Sequence, residues 1–213
     1  MDLIQEAFRT LYNVPELIRI GGMLGLVAIV FGETGLMVGF FLPGDSLLVT
    51  AGLFAAKGDL DVLWLNAALI AAAVAGDATG YWIGYRAGKA LYSRPNSLLF
   101  RREHLIKTHA FYEKHGGKTI VIARFMPIIR TFAPVVAGAA EMTYRQFALY
   151  NVVGGIGWVL SMTLTGYFLG RAVPDIDEHI HLVVAVVIFL SLLPGIVSFL
   201  KARYTRAPEA ASS

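Results

Sequence analysis

Four ionisable side chains lie inside long apolar stretches of the sequence: Glu33, Asp45, Arg124 and Arg130. A lone charge in hydrocarbon costs roughly 2.5–3.5 kcal/mol on insertion scales, so each of these side chains needs a partner, a proton or water. Arginine stays charged and suits bidentate binding of a phosphate, whereas a desolvated carboxylate can take up a proton. Two acids and two arginines therefore predict a site that binds a phosphate group and exchanges protons.

The same residues also allow three structural interpretations. Together they could form an ion-pair network that only holds the chain together, Asp45 could cap a half-helix that begins at Ser46, and Arg124, more readily than Arg130, could extend to the membrane interface. We favour the functional interpretation because ion pairs are an expensive means of stabilising a membrane fold.

Helix-breaking residues accompany both pairs of charges. Straight helices would place the four charged side chains on different faces. Proline removes a backbone donor and clashes with the preceding helical turn, so breaks are predicted at Pro43 and Gly44 and again at Pro127 and Pro134. Two hairpin tips at these breaks could bring the acids and the arginines together.

Two further polar residues are secondary candidates for the site. Asp77 lies within an apolar helix, where it could face the same cavity or bond to a neighbouring helix. Asn151 lies at helical spacing from Gly154 and Trp158, a pattern more typical of packing. No catalytic residue, metal site or cofactor is predicted, because the sequence contains no cysteine and no nucleophile, phosphate-loop or zinc motif. We therefore do not expect an enzyme.

The composition predicts an all-α integral membrane protein. Of 213 residues, 56% are hydrophobic and 15% charged, with a mean hydropathy of +0.63, far from the average of soluble domains. About 20 apolar residues cross the hydrocarbon core, and residues 60–85, 147–169 and 182–200 each suffice. The 22 glycines agree with this class, since small residues let helices approach closely in a bilayer.

An internal repeat organises the chain. A Phe-x-Pro motif, an Ala-Gly pair and a Gly-aromatic-aromatic-x-Gly motif occur in the same order from Phe41 to Gly84 and from Phe125 to Gly170. If each unit is a proline-broken re-entrant hairpin followed by one long transmembrane helix, the second unit is inverted relative to the first. For the first unit, the sequence leaves open a hairpin or a helix followed by a half-helix. The predicted segments are an interfacial N-terminal segment (1–21), repeat 1 (22–90), a basic amphipathic loop (91–117), repeat 2 (118–171), a C-terminal transmembrane helix (182–200) and a tail (201–213).

Charge in the loops predicts the orientation. Residues 86–118 contain eight Lys and Arg against two Glu, and short basic loops of this kind remain in the cytoplasm. Residues 171–181 are acidic and are placed outside, which puts the tail inside. The side of the N-terminus stays open.

The motifs resemble those of the DedA family, which is related to the VTT or SNARE-associated Golgi proteins. The resemblance covers roughly residues 17–171 and rests on Phe-Gly-Glu33, Phe-Leu-Pro-Gly-Asp45-Ser, Gly-Asp77-x-x-Gly-Tyr81-x-x-Gly, Arg124-Phe-x-Pro127-x-x-Arg130 and Asn151-x-x-Gly154-x-x-x-Trp158. It implies a multi-pass protein of the bacterial inner membrane, with two opposed re-entrant hairpins, that moves lipid across the bilayer. Some members recycle undecaprenyl phosphate and are linked to the proton motive force, and others act on phospholipids. The family's functional positions correspond to Glu33, Asp45, Arg124 and Arg130.

The sequence and the resemblance together predict a flippase for a lipid phosphate, with undecaprenyl phosphate as the preferred substrate and protons as a coupling ion. Arg124 and Arg130 would bind the phosphate, and Glu33 and Asp45 would exchange a proton or an arginine partner. A phospholipid scramblase, a proton-coupled or ion-coupled exchanger and a non-transporting envelope scaffold are the alternatives. Nucleic acid is not an expected partner, and the lipid's identity, the direction of transport and homo-oligomer formation stay open.

Overall fold

The computed structural model describes residues 14–36, 44–92 and 117–172, and these are helical apart from short connections. Outside the described residues lie Pro43, most of the predicted interfacial segment 1–21, most of the basic loop, the predicted C-terminal helix 182–200 and the tail. The described helices are α1 (Val14–Gly35), α2 (Gly44–Lys57), α3 (Val62–Tyr92), α4 (Lys118–Arg124), α5 (Pro127–Ala139) and α6 (Tyr144–Ala172).

Helix length separates two kinds of element. Within the described ranges, three helical stretches are long and apolar enough to cross a membrane: Glu16–Gly35, Val62–Gly88 and Tyr144–Ala172. The last two correspond to the predicted spans 60–85 and 147–169. In contrast, α2 has 14 residues and α5 has 13, or about 20 Å of helix, which is short of a hydrocarbon core about 30 Å thick.

Helix α1 is interrupted at Gly22. This residue has φ 50° and ψ −146°, outside the helical region, and only glycine adopts such a conformation at low cost. The continuous helix after the break, residues 23–35, is about 20 Å long and matches α2. By helix length, the first unit therefore has two short helices, residues 23–35 and α2. The stretch Glu16–Gly35, counted across the break, is still long enough to span a membrane.

The long helices α3 and α6 run antiparallel. Near the start of α3, Asn66 accepts a hydrogen bond from Thr163 in the second half of α6. Further along α3, the carbonyl of Val74 accepts one from Asn151 in the first half of α6. Since the partner's number falls as the α3 number rises, the two helices point in opposite directions.

The connection from α4 to α5 reverses the chain. Helix α4 runs parallel to α6, because a side chain on Gly117 would overlap the ring of Tyr150 while Phe125 approaches Gly157. Helix α5 runs parallel to α3, with Val135 beside Gly84 and residue 139 beside residue 88. Because α3 and α6 are antiparallel, α4 and α5 are antiparallel as well and form the predicted hairpin.

Each short helix packs against the long helix of the other unit. A side chain on Gly52 of α2 would overlap the carbonyl of Thr163 in α6, and one on Gly138 of α5 would overlap the carbonyl of Tyr81 in α3. Such backbone contact is the role expected of small residues between membrane helices. The hairpins therefore interlock the two units.

These contacts correct the alignment of the repeats by one helical turn. The motifs align Gly80 with Gly166, but Gly166 lies against Val49 of α2 while Gly84 lies against Val135, the equivalent position of α5. The α3 sequence has a glycine at every fourth position from residue 76 to residue 88, and each offers a similar small surface. The sequence pattern could therefore not select the register.

The predicted break at Pro134 is wrong. The helix ends at Arg124 and restarts at Pro127, where proline is compatible with a first turn, and then continues through Pro134. Pro134 packs beside Gly80 of α3, so tertiary packing supports the turn that has lost its backbone donor. In the first unit of the repeat, α2 begins at Gly44, so the predicted break lies before that residue.

Candidate transport site

Arg130 is the centre of a buried ion-pair cluster. It lies in the first turn of α5, where its Nη2 donates to Oε1 of Glu33 and its Nη1 to Oδ1 of Asp45. Glu33 is close to the end of α1 and Asp45 is the second residue of α2, so the cluster connects the facing ends of three helices. All three side chains are buried. The predicted association of both acids with this arginine is therefore present.

Trp158 completes this cluster. Its indole Nε1 donates to Oδ1 of Asp45 at 2.9 Å, and its ring lies 4.7 Å from Cζ of Arg130, within range of a cation–π interaction. The sequence pattern predicted a packing role for this residue. Two signals pointed to the site: Trp158 lies seven residues, close to two helical turns, after Asn151, and a buried indole N–H needs an acceptor.

Arg124 forms a second cluster with other partners. Its Nη2 donates to Oδ2 of Asp77 and to Oδ1 of Asn151 and lies 3.5 Å from the carbonyl of Ala73. Asn151 in turn donates to the carbonyl of Val74 at 3.0 Å. Both secondary candidates from the sequence thus contact Arg124.

The expectation that both arginines face Glu33 and Asp45 is corrected by this arrangement. Arg124 ends α4 and Arg130 follows the chain reversal at residues 125–126. The two guanidinium groups therefore contact side chains of different helices. The clusters are nevertheless neighbours in the fold, since Arg124 and Arg130 lie on either side of the same chain reversal. The candidate site therefore has two arginine centres, each with its own carboxylate partners.

Several polar atoms of the site have no partner among the described residues. Arg124 is 4% exposed, yet its Nε and Nη1 make no hydrogen bond, and neither does Oε2 of Glu33. A buried donor without a partner costs about 1–3 kcal/mol, and more when it is charged. One explanation for unpartnered buried atoms of this kind is a ligand that forms hydrogen bonds with them.

The charges of the two clusters do not balance. Among the described residues, Glu33, Asp45 and Asp77 form ion pairs only with Arg124 and Arg130, which leaves one formal negative charge in excess when all five are ionised. In a low-dielectric environment an uncompensated charge is expensive. The arrangement can therefore accept a proton or a cation.

Glycines make room for the charged side chains. A side chain on Gly44 would overlap the carboxylate of Glu33, and Cβ atoms on Gly154 and Gly155 would lie 3.0 Å from Cδ and Nη1 of Arg124. These contacts explain why glycine occupies the first residue of α2 and the middle of α6. Larger residues there would displace the ionised groups.

The site lies halfway along both long helices. Asp77 is equally far from the two ends of α3, and Trp158 from the two ends of α6. The arms of both hairpins end at the same level, with Asp45 beginning one arm and Arg124 closing another. The fold and site thus define a polytopic helical membrane protein with a charged centre.

Comparison with known proteins agrees with this class. Residues 42–168 match the VTT domain family. The chain is 50% identical over 189 residues to Protein DedA of Escherichia coli K12, covering 88% of this chain and 85% of the relative. It is 36% identical over 172 residues to the inner membrane protein YqjA of the same strain, covering 78% and 74%. An uncharacterised membrane protein of Mycobacterium tuberculosis H37Rv is 45% identical over 178 residues, covering 82% and 77%.

The chain belongs to the DedA family of VTT-domain membrane proteins. No solved structure matches it.

Proposed function

We propose that this protein is a flippase that carries a lipid phosphate, with undecaprenyl phosphate as the preferred substrate, across the bacterial inner membrane. The observation that carries the proposal is the pair of buried donors on Arg124, halfway along the two long helices, that have no partner in the part of the chain that the structure describes. A phosphate group supplies the acceptor oxygens that these donors lack. The inner membrane location draws on the similarity to YqjA, whose name states that location.

The two arginines have different roles in this mechanism. Arg124 binds the phosphate through Nε and Nη1 while Asp77 and Asn151 hold Nη2. Arg130 already has two carboxylate partners and a ring face. It is therefore the coupling residue rather than the first phosphate ligand.

Proton coupling follows from the excess of acid around Arg130. Glu33 has an oxygen without a partner within residues 14–36, 44–92 and 117–172, and Asp45 shares one oxygen between Arg130 and Trp158. When one carboxylate takes up a proton, its hold on Arg130 weakens, and the guanidinium becomes available to the phosphate. Release of the proton on the other side restores the resting ion pairs.

The inverted repeat provides access from both sides. The antiparallel α3 and α6, each with a short hairpin packed beside it, give two similar half-sites that open toward opposite faces. If the basic loop after α3 is cytoplasmic, the start of α3 lies at the outer face. The start of α1 lies at that face too, because residues 18–22 and 54–60 border one cavity. With the predicted C-terminal helix 182–200 as one further span, the tail lies in the cytoplasm.

The experiment is a lipid-exchange assay in proteoliposomes that contain polyprenyl phosphate. We expect the wild-type protein to move the lipid phosphate and Arg124→Lys to lose most of this activity, because lysine cannot satisfy the geometry of a guanidinium. Arg145→Lys, at an exposed position of α6, is the matched control and keeps the wild-type rate.

Two results contradict the proposal. Ion flux without any movement of lipid phosphate would select the exchanger. If neither moves, and charge reversal in the basic loop abolishes cellular function while Arg124→Lys does not, the protein is a scaffold.

A further inference from the structure

Trp158 makes two different contacts with the charged centre. It is 1% exposed and lies halfway along α6. Its N–H donates to the same Asp45 oxygen that accepts the Nη1 donor of Arg130, while its ring face covers the guanidinium. The indole thus contacts both members of one ion pair.

We infer that Trp158 is a positioning residue of the transport site, which holds Asp45 and Arg130 in register through its N–H and its ring face. This inference rests on the proposed function. It assigns a role to a group that itself neither binds phosphate nor exchanges protons, since its single N–H donor is bound to Asp45 and indole does not titrate near neutral pH.

The reason lies in what happens when the ion pairs change. A guanidinium that loses a carboxylate to protonation needs another favourable environment, or it will leave its position. The ring face attracts a cation whatever the protonation state of the acids, and this attraction is strongest where water is excluded. Trp158 therefore keeps Arg130 in place while its carboxylate partners change.

The N–H performs the complementary task for Asp45. Because it donates to an oxygen that also binds Arg130, it orients that carboxylate independently of the arginine. A residue needed only for packing would require the volume of the indole but not its donor. Substitutions that remove these properties one at a time can therefore separate the two roles.

The first test is a substitution series in the proteoliposome assay with polyprenyl phosphate. Trp158→Phe keeps a ring face but removes the donor, and we expect transport to fall about ten-fold, the usual effect of one hydrogen bond to a charged group. Trp158→Leu removes both contacts, and we expect its transport rate to fall about a hundred-fold. Trp64→Phe, at a position 73% exposed, is the control and keeps the wild-type rate.

Thermal unfolding in detergent is measured alongside. A positioning role predicts that Trp158→Phe stays folded with reduced transport. Equal transport by wild type and Trp158→Phe, or losses that only follow the fall in melting temperature, would overturn the inference.

The second test reads the contact without transport. The chain has three tryptophans, so Trp64→Phe with Trp82→Phe leaves Trp158 as the only fluorescent indole. On this background Asp45→Asn should shift its emission, whereas Asp59→Asn, at an exposed position, should not. An unchanged emission in Asp45→Asn would contradict the contact.

The two proposals fail in different ways. If the wild-type protein moves no lipid phosphate, the proposed function fails even where the emission of Trp158 responds to Asp45→Asn. If the wild type is active and Trp158→Phe equals it, only the role of Trp158 fails.

Discussion

Glu33 and Arg130 are 97 positions apart in the sequence, and they form a buried ion pair that joins the end of α1 to the first turn of α5. The pair connects the first unit of the repeat to the second at the level of the hairpin tips. Glu33 keeps one oxygen without a partner among the described residues and shares Arg130 with Asp45, so this contact can open while Arg130 stays paired, as the proposed mechanism requires.

We predict that Glu33→Gln uncouples transport from protons. The amide still accepts a hydrogen bond from Arg130 but cannot ionise, so the excess negative charge of the site disappears. Transport of lipid phosphate should therefore lose its response to an imposed pH gradient, measured in proteoliposomes with the gradient applied in either direction. Glu16→Gln, exposed in the first turn of α1, serves as the control. A gradient response equal to that of wild type would refute the coupling role of Glu33.

We predict that Arg130→Met destabilises the protein by about 3–5 kcal/mol, the usual effect of removing one partner of a buried ion pair. Two buried carboxylates then lack a counter-charge. The triple variant Arg130→Met, Glu33→Gln, Asp45→Asn should regain most of the stability, because it removes all three charges, but should not regain transport. Chemical unfolding in detergent measures the stability. If the triple variant were no more stable than the single one, charge imbalance would not be the cause.

We predict opposite effects of alanine at glycines in different places. At Gly52 or Gly138 the added Cβ would overlap a backbone carbonyl of the facing long helix, and overpacking of this kind costs about 1–3 kcal/mol. At Gly32 no atom lies within 4 Å of an added Cβ, so alanine there should stabilise the helix by about 0.5–1 kcal/mol. Melting temperatures of the three variants test this. Equal shifts at Gly32 and Gly52 would contradict the interlocked packing of the units.

We predict that the two turns between short and long helices lie on opposite sides of the membrane. The chain contains no cysteine, so Asp59→Cys and Thr143→Cys, both at exposed positions, each introduce a single thiol. In intact spheroplasts a membrane-impermeant maleimide should label position 59 at once, and position 143 only after permeabilisation. Labelling of both thiols from one side would exclude the inverted arrangement.

The sequence by itself determined the class of the protein and indicated the four charged residues Glu33, Asp45, Arg124 and Arg130 as candidates for its centre. Charged side chains such as Glu33 and Arg130 stand out because hydrocarbon penalises them wherever they lie along a helix, and apolar runs of sufficient length identify α3 and α6 for the same reason. The family motifs, which include Asp77, Asn151 and Trp158, are also local in sequence.

Only the tertiary structure decided which groups meet. Arg124 pairs with Asp77 rather than with Glu33 because the chain reverses at residues 125–126, and the direction of a hairpin arm depends on packing against distant helices. The same packing carries α5 through Pro134 and places the N–H of Trp158 on Asp45. It also makes Gly84, rather than Gly80, the position of the first unit that is equivalent to Gly166. Helical periodicity gives the face on which a residue lies, but contacts between helices depend on register and direction, which are set when whole surfaces are buried together.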